Sequence, residues 1–323
     1  MVIRQITIED VPKLAELYNR VWPGYIDHHL KKAEWSVRNA EYPGVCAEED
    51  DIIVGSRSVI HTNTYLGDNK LECVQLGDSC VDKRYRGQGL FLKMNKVFLE
   101  NYFKSGGELI YNFSVEASKR VHLKNGWTYI RSMTNMIFVN HPVRFAISLL
   151  EGVNTLGGAS VENEGLADIS VLSEDLLNER ERVLSSRGLI HTLYDRKTLE
   201  VRLGSQSGIK ILCVPEVGAC LYKNGEQQGL HWCTIGEIFL KEYSYKSFNK
   251  IIKSLKKEIP TDVITVNVTI SHPLYNYYRR NLFLPHPRRK YLNHGVKIKD
   301  GMDEKIYYSP ETWALSTLDI DTF

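Results

Sequence analysis

The chain has 323 residues, of which 43% are hydrophobic, 25% charged and 10% aromatic, and these fractions exclude a disordered, collagen-like or disulfide-scaffold protein. Its 41 Lys and Arg balance 39 Asp and Glu to a net charge of +2, which argues against a protein that mainly coats nucleic acid. No apolar run approaches the roughly 20 residues of a membrane span, and the first residues lack a signal-like apolar core. The sequence therefore predicts a soluble cytoplasmic protein of one or two domains, without a membrane partner.

The first 140 residues alternate between strand and helix patterns, which predicts a mixed α/β unit. A helix with apolar residues at three- and four-residue intervals, from Leu90 to Tyr102, is the clearest element. In chain order, the predicted elements are strand 2–7, a helix beginning at Glu9, strands 44–47, 52–61 and 71–81, helix 90–102, strand 109–115, helix 117–124 and a strand region over 127–140.

The second half of the chain repeats the first weakly but in order, after a break in the pattern over residues 143–165. Leu76-Gly77-Asp78 is echoed by Ile235-Gly236-Glu237, and Lys124-Asn125-Gly126-Trp127 by Arg280-Asn281-Leu282-Phe283. The offset shrinks smoothly from 165 residues (174 − 9) to 156 (280 − 124). This order predicts two copies of one fold, over 1–142 and 166–323, joined by a linker at 143–165.

Metal binding is not expected. The six cysteines include no C-x-x-C pair and no spacing typical of zinc ligands, which also indicates reduced, structural thiols. His28 and His29 are adjacent and would face opposite sides of a strand.

The sharpest motif is the segment VDKRYRGQGL at 81–90, between a predicted strand and the amphipathic helix. Backbone N–H groups converge in front of a helix N-terminus, and the helix dipole favours an anion there. Glycine at 87 and 89 permits positive φ and close approach of a pyrophosphate, while Arg84 can neutralise phosphate charge. An anion site is therefore predicted at this loop.

The motif resembles the acyl-CoA-binding motif V-x-x-[QR]-x-x-G-x-[GA] of the GNAT superfamily of N-acetyltransferases, with Val81, Arg84, Gly87 and Gly89 at the matching positions. Residues 124–127 look like the end of the family's last short helix. The resemblance covers about 2–140 by its motifs and 166–323 only through the repeat. It implies the acyl-CoA N-acyltransferase fold, an α/β (α+β mixed-sheet) arrangement, in two tandem domains.

The resemblance further implies an acyl-CoA co-substrate, most simply acetyl-CoA, and no metal. The second copy has neither Arg nor Gly in motif register, so it is expected to be degenerate. The residues that the resemblance assigns to acyl-CoA binding are Cys80, Val81, Arg84, Arg86, Gly87, Gln88, Gly89, Leu90 and Ser118.

Two residues are candidates for proton transfer. Asp78 occupies the place where the family often carries a carboxylate general base, and its other interpretation is an aspartate that anchors the strand end. His122 stands where the family usually has the tyrosine general acid, and its other interpretation is an ordinary, partly exposed helix histidine. Backbone N–H groups near Cys80 and Val81 are implied to polarise the thioester carbonyl.

The predicted function is acyl transfer from acetyl-CoA to a primary amine of a small-molecule acceptor. Three alternatives stay open: a non-catalytic acyl-CoA sensor, a Fem-like ligase that uses aminoacyl-tRNA, and a long-chain N-acyl amino acid synthase. Arg279-Arg280 and the 288–290 run, interleaved with tyrosines, form a basic region that fits RNA, an anionic substrate or a solvated face. Trp35 fits either the acceptor cleft or the core.

Overall fold

The computed structural model describes residues 1–24, 26–150, 168–204, 208–227 and 229–320. Its strands are β1 (Val2–Gln5), β2 (Gly44–Glu49), β3 (Ile52–His61), β4 (Thr64–Leu66), β5 (Asn69–Lys70), β6 (Cys73–Val81), β7 (Leu109–Phe113), β8 (Thr128–Ile130), β9 (Met133–Val139), β10 (Ile190–Thr192), β11 (Ile209–Val214), β12 (Gly218–Gln227), β13 (Leu230–Leu240), β14 (Val263–Thr269), β15 (Leu284–Pro285) and β16 (His294–Ile298). Its α-helices are α1 (Val11–Val21), α2 (Ile26–Arg38), α3 (Leu90–Lys104), α4 (Glu116–Lys124), α5 (Pro142–Leu150), α6 (Glu174–Ser185), α7 (Arg196–Leu203), α8 (Tyr245–Glu258), α9 (Tyr275–Arg280) and α10 (Glu304–Tyr307).

The chain divides into two compact units, each assembled from segments that are distant in sequence. Unit 1 comprises Met1–Thr64, Lys70–Ile130 and Asn293–Ser309. Unit 2 comprises Tyr65–Asn69, Arg131–Leu292 and Pro310–Phe323.

Unit 1 is built on a sheet of order β1-β2-β3-β6-β7-β16-β8, in which only β6 and β7 are parallel. Side chains alternate across a strand, so Val45 and Ala47 of β2 pack with α3 whereas Cys46 packs with α1 and α2. Helix α3 presents Leu90, Met94, Phe98 and Tyr102 to the sheet at four-residue intervals, as its apolar pattern predicts.

Unit 2 is built on a sheet of order β11-β12-β13-β14-β9-β15, in which only β13 and β14 are parallel. One face packs against the apolar side of α8, which buries Phe248, Ile251, Ile252 and Leu255. The other face carries the residues of α6 and α7, such as Leu176 and Leu199.

The two sheets follow the same plan. Antiparallel strands come first, four in unit 1 and three in unit 2, and are followed by a helix, a parallel strand and a second helix. In each sheet a strand from the other half of the chain also lies next to a short strand. Both strands are also irregular at or next to the repeated tripeptide: the register skips Asp78 and Ser79 in β6 and Gly236 in β13. The predicted α/β fold with mixed sheets is confirmed, in two units of similar plan.

The boundaries of the units differ from the contiguous segments 1–142 and 166–323. Strand β9 belongs to unit 2, because it pairs with β14 and β15, and β16 belongs to unit 1, because it pairs with β7 and β8. The predicted strand region 127–140 is therefore two strands in two sheets. The predicted linker begins within α5, and its residues 151–165 lie outside the described part of the chain.

Candidate functional site

Strands β6 and β7 separate at the centre of unit 1. Their parallel pairing runs only from Cys73 to Gln75 on β6, although β6 continues to Val81. The Asp82 amide donates to the Val54 carbonyl of β3, at 2.9 Å. Amides alternate sides along a strand, so the Val81 amide lies on the opposite side of β6, where β7 no longer pairs with it. This leaves a backbone donor beside the gap between the strands.

The predicted glycine loop lies directly after this unpaired end. Gly87 and Gly89 have φ of +79° and +70°, so both need the conformational freedom of glycine. An ideal Cβ on either residue would meet nothing within 4 Å, so the loop faces open space. The first amides of α3 have no partner within the helix and point towards that space. The loop thus has the room and the donors that a pyrophosphate needs.

The basic residues of the loop are held in different ways. The Arg84 guanidinium pairs with Asp82 at 3.0 Å, and the same carboxylate pairs with Arg20 at 2.9 Å, which holds the pKa of Asp82 far below its usual range. The motif position of Arg84 predicts that it neutralises the charge of a bound phosphate. In the structure its guanidinium is already paired with a carboxylate of the same loop. Arg86 is exposed and donates to the Val81 carbonyl at 3.1 Å. Gln88 is exposed and donates to the Arg84 carbonyl at 3.3 Å.

The other residues assigned to acyl-CoA binding contribute in different ways. Cys80 is buried among the α1 and α2 side chains, and burial raises the pKa of its thiol to about 12. Leu90 is buried against the opposite face, and Val81 packs beside it, half-buried. Their backbones, not their side chains, face the gap and the loop. Ser118 is half-buried on α4.

Asp78 lies at the bulge of β6, within the strand rather than at its end. Its φ is +47°, a strained value for a residue other than glycine. One carboxylate oxygen lies 2.6 Å from the Lys32 ammonium of α2, and the side chain keeps 13% of its surface exposed. Sequence patterns missed α2, so they missed Lys32 as well. His28, Lys32 and Trp35 are spaced three or four residues apart and so share one side of α2.

His122 is completely buried, so its interpretation as a partly exposed helix histidine is wrong. Its Nε2 lies 2.9 Å from Nη2 of Arg57, and a guanidinium can only donate, so Nε2 accepts. Nδ1 therefore carries the hydrogen and donates to the Tyr129 hydroxyl at 2.7 Å. Burial, and then the Arg57 charge, lower the pKa of His122 to about 2. The imidazole is neutral at physiological pH, with both nitrogens engaged inside the protein.

Arg57 lies at the centre of this second cluster, and sequence patterns missed it, because its only local signal is a charge within an apolar strand. Its guanidinium donates to Asn95 Oδ1 at 3.1 Å and to Ser79 Oγ at 2.9 Å, besides His122. It lies 5.2 Å from the centre of the Phe91 ring. Asp78 contacts Lys32 of α2, whereas His122 contacts the Phe91 ring of α3, and α2 and α3 pack on opposite faces of the sheet. The two proton-transfer candidates therefore lie on opposite faces.

The corresponding position of unit 2 is closed. Glu237, the counterpart of Asp78 in the repeat, is 2% exposed and pairs with the buried Arg180 at 3.1 Å. Burial raises the pKa of Glu237, but the charge of Arg180, the contact with His272 and the hydrogen bond from the Ile238 amide together lower it to about 2. A carboxylate held in this way has no surface for a substrate, which fits the degenerate motif of this half.

The described residues contain no group of three His, Cys, Asp or Glu side chains arranged to hold a metal ion. Among the same residues, no helix is long and apolar enough to cross a membrane. All six cysteines are free, and each lies on a strand.

Residues 2–130 match the family model described as an acetyltransferase (GNAT) domain. This region is a GNAT acetyltransferase domain. No curated protein sequence matches the chain. One similar solved structure is a GCN5-related N-acetyltransferase from Kribbella flavida, with a TM-score of 0.62 and 11% identity, covering 93% of this chain and 71% of that one. Another, from Anabaena variabilis, has a TM-score of 0.62 and 9% identity, covering 92% and 72%. At these identities the two structures show a shared fold.

The matched region places the GNAT domain in unit 1, with the gap between β6 and β7, the glycine loop and Asp78 all inside it. The enzyme class is therefore that of the N-acetyltransferases. The family model ends at Ile130 and does not include β16, although β16 completes the sheet of this domain.

Proposed function

We propose that unit 1 transfers the acetyl group of acetyl-CoA to the primary amine of a small-molecule acceptor. The observation that carries the proposal is the end of β6, where an unpaired backbone amide, a strained carboxylate and an open glycine loop follow one another within twelve residues, Asp78 to Gly89. The pyrophosphate would bind at Gly87–Gly89 and the first turn of α3, with Arg86 beside it. The donor thioester would then lie along the gap between the strands.

In this arrangement the Val81 amide hydrogen-bonds to the thioester carbonyl and stabilises the negative charge that develops on its oxygen. The amine nitrogen attacks the carbonyl carbon, the C–S bond breaks, and the electron pair leaves on the CoA sulfur. Asp78 accepts the amine proton, and water protonates the thiolate. His122 is not proposed as the acid, because it is buried and neutral and its Nδ1–H is already donated to Tyr129.

Lys32 sets a condition on this role of Asp78. Its ammonium occupies one carboxylate oxygen at 2.6 Å, so the acceptor amine has to use the other oxygen or displace Lys32. The side of α2 that carries His28, Lys32 and Trp35 is therefore proposed to border the acceptor.

The donor site is tested by thermal unfolding with acetyl-CoA, free CoA and longer thioesters. Each should raise the Tm of the wild type, while Gly87→Glu, which adds a carboxylate at φ +79°, should remove the rise. The thioester giving the largest rise identifies the acyl length. If no thioester stabilises the protein and charged tRNA binds instead, the Fem-like alternative replaces this proposal.

Catalysis is tested by thiol release from acetyl-CoA with a panel of primary amines. Asp78→Asn should lower kcat by about 100-fold or more at neutral pH, with the KM for acetyl-CoA unchanged, because a positioned base contributes that much. Asp68→Asn, at an exposed turn, is the matched control. Full activity of Asp78→Asn across pH 6–9 would exclude the base role, and binding without turnover for any amine would leave an acyl-CoA sensor.

A further inference from the structure

An open pocket of about 740 Å³ is lined entirely by residues of unit 2, none of which belongs to the donor site. Its lining residues are Tyr275, Asn276, Arg279, Arg280, Phe283, Leu284, Pro285, Lys290 and Tyr291. This volume lies in the range of small-molecule sites, about 300–1,000 Å³. The proposed acetyl transfer makes no use of it.

The charged side chains that line this pocket are all basic. From Val263 to Leu292 the sequence contains no Asp or Glu, whereas it contains five Lys and Arg. Within the described chain, no carboxylate lies within 4.0 Å of Arg279, Arg280 or Lys290. Like charges that converge on a concave surface without a counter-ion raise the local potential and attract an anion.

The geometry of α9 brings these charges to one side. Tyr275 and Arg279 are four residues apart, as are Asn276 and Arg280, so the two pairs form adjacent rows along the helix. The Arg280 guanidinium lies 5.6 Å from the centre of the Tyr245 ring, and the Lys290 ammonium lies 5.0 Å from that of Tyr291. Aromatic contacts of this kind hold cationic side chains without neutralising them.

The walls are fixed by packing and hydrogen bonds. Tyr278 anchors α9 through ring contacts with Phe248 at 4.8 Å and Phe283 at 5.1 Å, and the fully buried Phe283 lines the pocket. The Lys290 carbonyl accepts from the Asn135 amide of β9 at 2.9 Å. Because these side chains are already ordered, little conformational entropy is lost when a ligand binds, which favours binding of a small molecule.

We propose that this pocket binds a small phosphorylated ligand with a flat ring, of the nucleotide class. Two arginines and a lysine supply the donors that phosphate oxygens prefer, and Arg matches phosphate with paired N–H groups. The half-buried Tyr275 and the exposed Tyr291 offer aromatic surface to a base. A single nucleotide fits better than an RNA strand, because the cations converge on one pocket and the net charge of the chain is only +2.

The test is calorimetric titration of the full chain with ATP, tripolyphosphate and adenosine at low salt. ATP should bind more tightly than tripolyphosphate or adenosine, each of which supplies only one part of the nucleotide. Arg279→Ala/Arg280→Ala should weaken ATP binding by about tenfold or more, since two charge-assisted contacts are lost. Arg187→Ala/Lys250→Ala removes the same charge from exposed positions of unit 2 outside the pocket. This control variant should leave the affinity for ATP unchanged.

Gly87→Glu separates this site from the donor loop, which would itself accept a nucleotide phosphate. ATP binding that survives Gly87→Glu and falls in the double arginine variant supports the proposal. The proposal is overturned if ATP binding depends on Gly87 alone, if tripolyphosphate binds as tightly as ATP, or if no ligand binds at millimolar concentration. Affinity that keeps rising with the length of an oligoadenylate would overturn it in favour of RNA. Because Gly87 and the arginines are tested separately, failure here leaves the acetyl-transfer proposal untouched.

Discussion

Arg57 keeps its charge inside unit 1 although its acceptors, Asn95, Ser79 and His122, are all neutral. The described chain places no carboxylate within 4.0 Å of it. Burial lowers the pKa of Arg57 to about 9, so the guanidinium remains protonated at neutral pH. A charge in such surroundings is screened weakly. Its hydrogen bond to Ser79 places it beside the residue that follows Asp78 in the chain.

Replacing Arg57 tests how much of the core depends on this residue. Arg57→Met leaves three buried acceptors without a donor, so we expect the free energy of unfolding to fall by about 1–3 kcal/mol. Urea denaturation measures the change. The free energy of unfolding of Arg57→Lys should lie between those of the wild type and Arg57→Met. An ammonium keeps the charge but lacks the planar shape that lets the guanidinium reach all three partners. A Met variant as stable as the wild type would contradict this account.

At the scale of elements, the turn from β6 into α3 combines strain with exposure. Gly89→Ala places a side chain at φ +70°, which costs about 1–2 kcal/mol in the left-handed region. We also expect it to weaken the stabilisation by acetyl-CoA, because the methyl group enters the space in front of the loop.

Gly188→Ala is the matched control for this substitution. Gly188 has φ +63°, and an ideal Cβ there also meets nothing within 4 Å. Both variants should lower the Tm without ligand by a similar amount, whereas only Gly89→Ala should respond less to acetyl-CoA. Equal responses in the two variants would show that the loop at Gly89 does not approach the donor.

Two buried histidines of unit 1, His122 on α4 and His294 on β16, make its stability depend on pH. Burial lowers their pKa values from 6.5 to about 2 and about 3. Below pH 6.5 the unfolded chain binds protons that the folded unit does not, so stability falls as the pH falls. The slope is about 1.4 kcal/mol per pH unit for each histidine. Denaturation series between pH 7 and 4 should show this loss, and His122→Gln should reduce it.

The elements around the loop could be predicted because their signals are local. The four-residue spacing of Leu90, Met94 and Phe98 indicates a helix, and the glycines before it indicate its start. Helix α2 was missed although Ile26, Leu30, Ala33 and Val37 recur at helical spacing. His122 was placed correctly on a helix, but its burial depends on Arg57, a residue 65 positions away, and no local pattern carries that information.

At the scale of the whole molecule, each sheet includes a strand from the other half of the chain. The repeat predicted two copies of one fold, yet it could not show the exchange of β9 and β16. Each of these strands is short, and its partners are chosen by pairing over long sequence distances, as between Phe113 and His294. The motif-bearing residues of the donor site needed no such information, since they follow one another along the chain.

The exchange predicts which fragments fold. Residues 1–142 contain all of the matched family region but lack β16, so the edges of β7 and β8 stay unpaired and we expect aggregation. Ile130 lies directly opposite His294, so a short turn can join 1–130 to 293–309 as a hairpin. We expect this joined protein to fold, as measured by circular dichroism and gel filtration. Acetyl-CoA should raise its Tm. Equal behaviour of both fragments would make β16 dispensable.

Strand β16 also determines when the sheet of unit 1 can be completed during protein synthesis. On the ribosome, the segments that carry Asp78 and the glycine loop emerge early, but the strand that fills the gap between β7 and β8 emerges only after the strands of unit 2. Until then the nascent domain exposes two open strand edges, a state that chaperones recognise and that favours misassociation. We therefore expect activity to appear only after β16 has been synthesised, so a chain that terminates before β16 should be inactive.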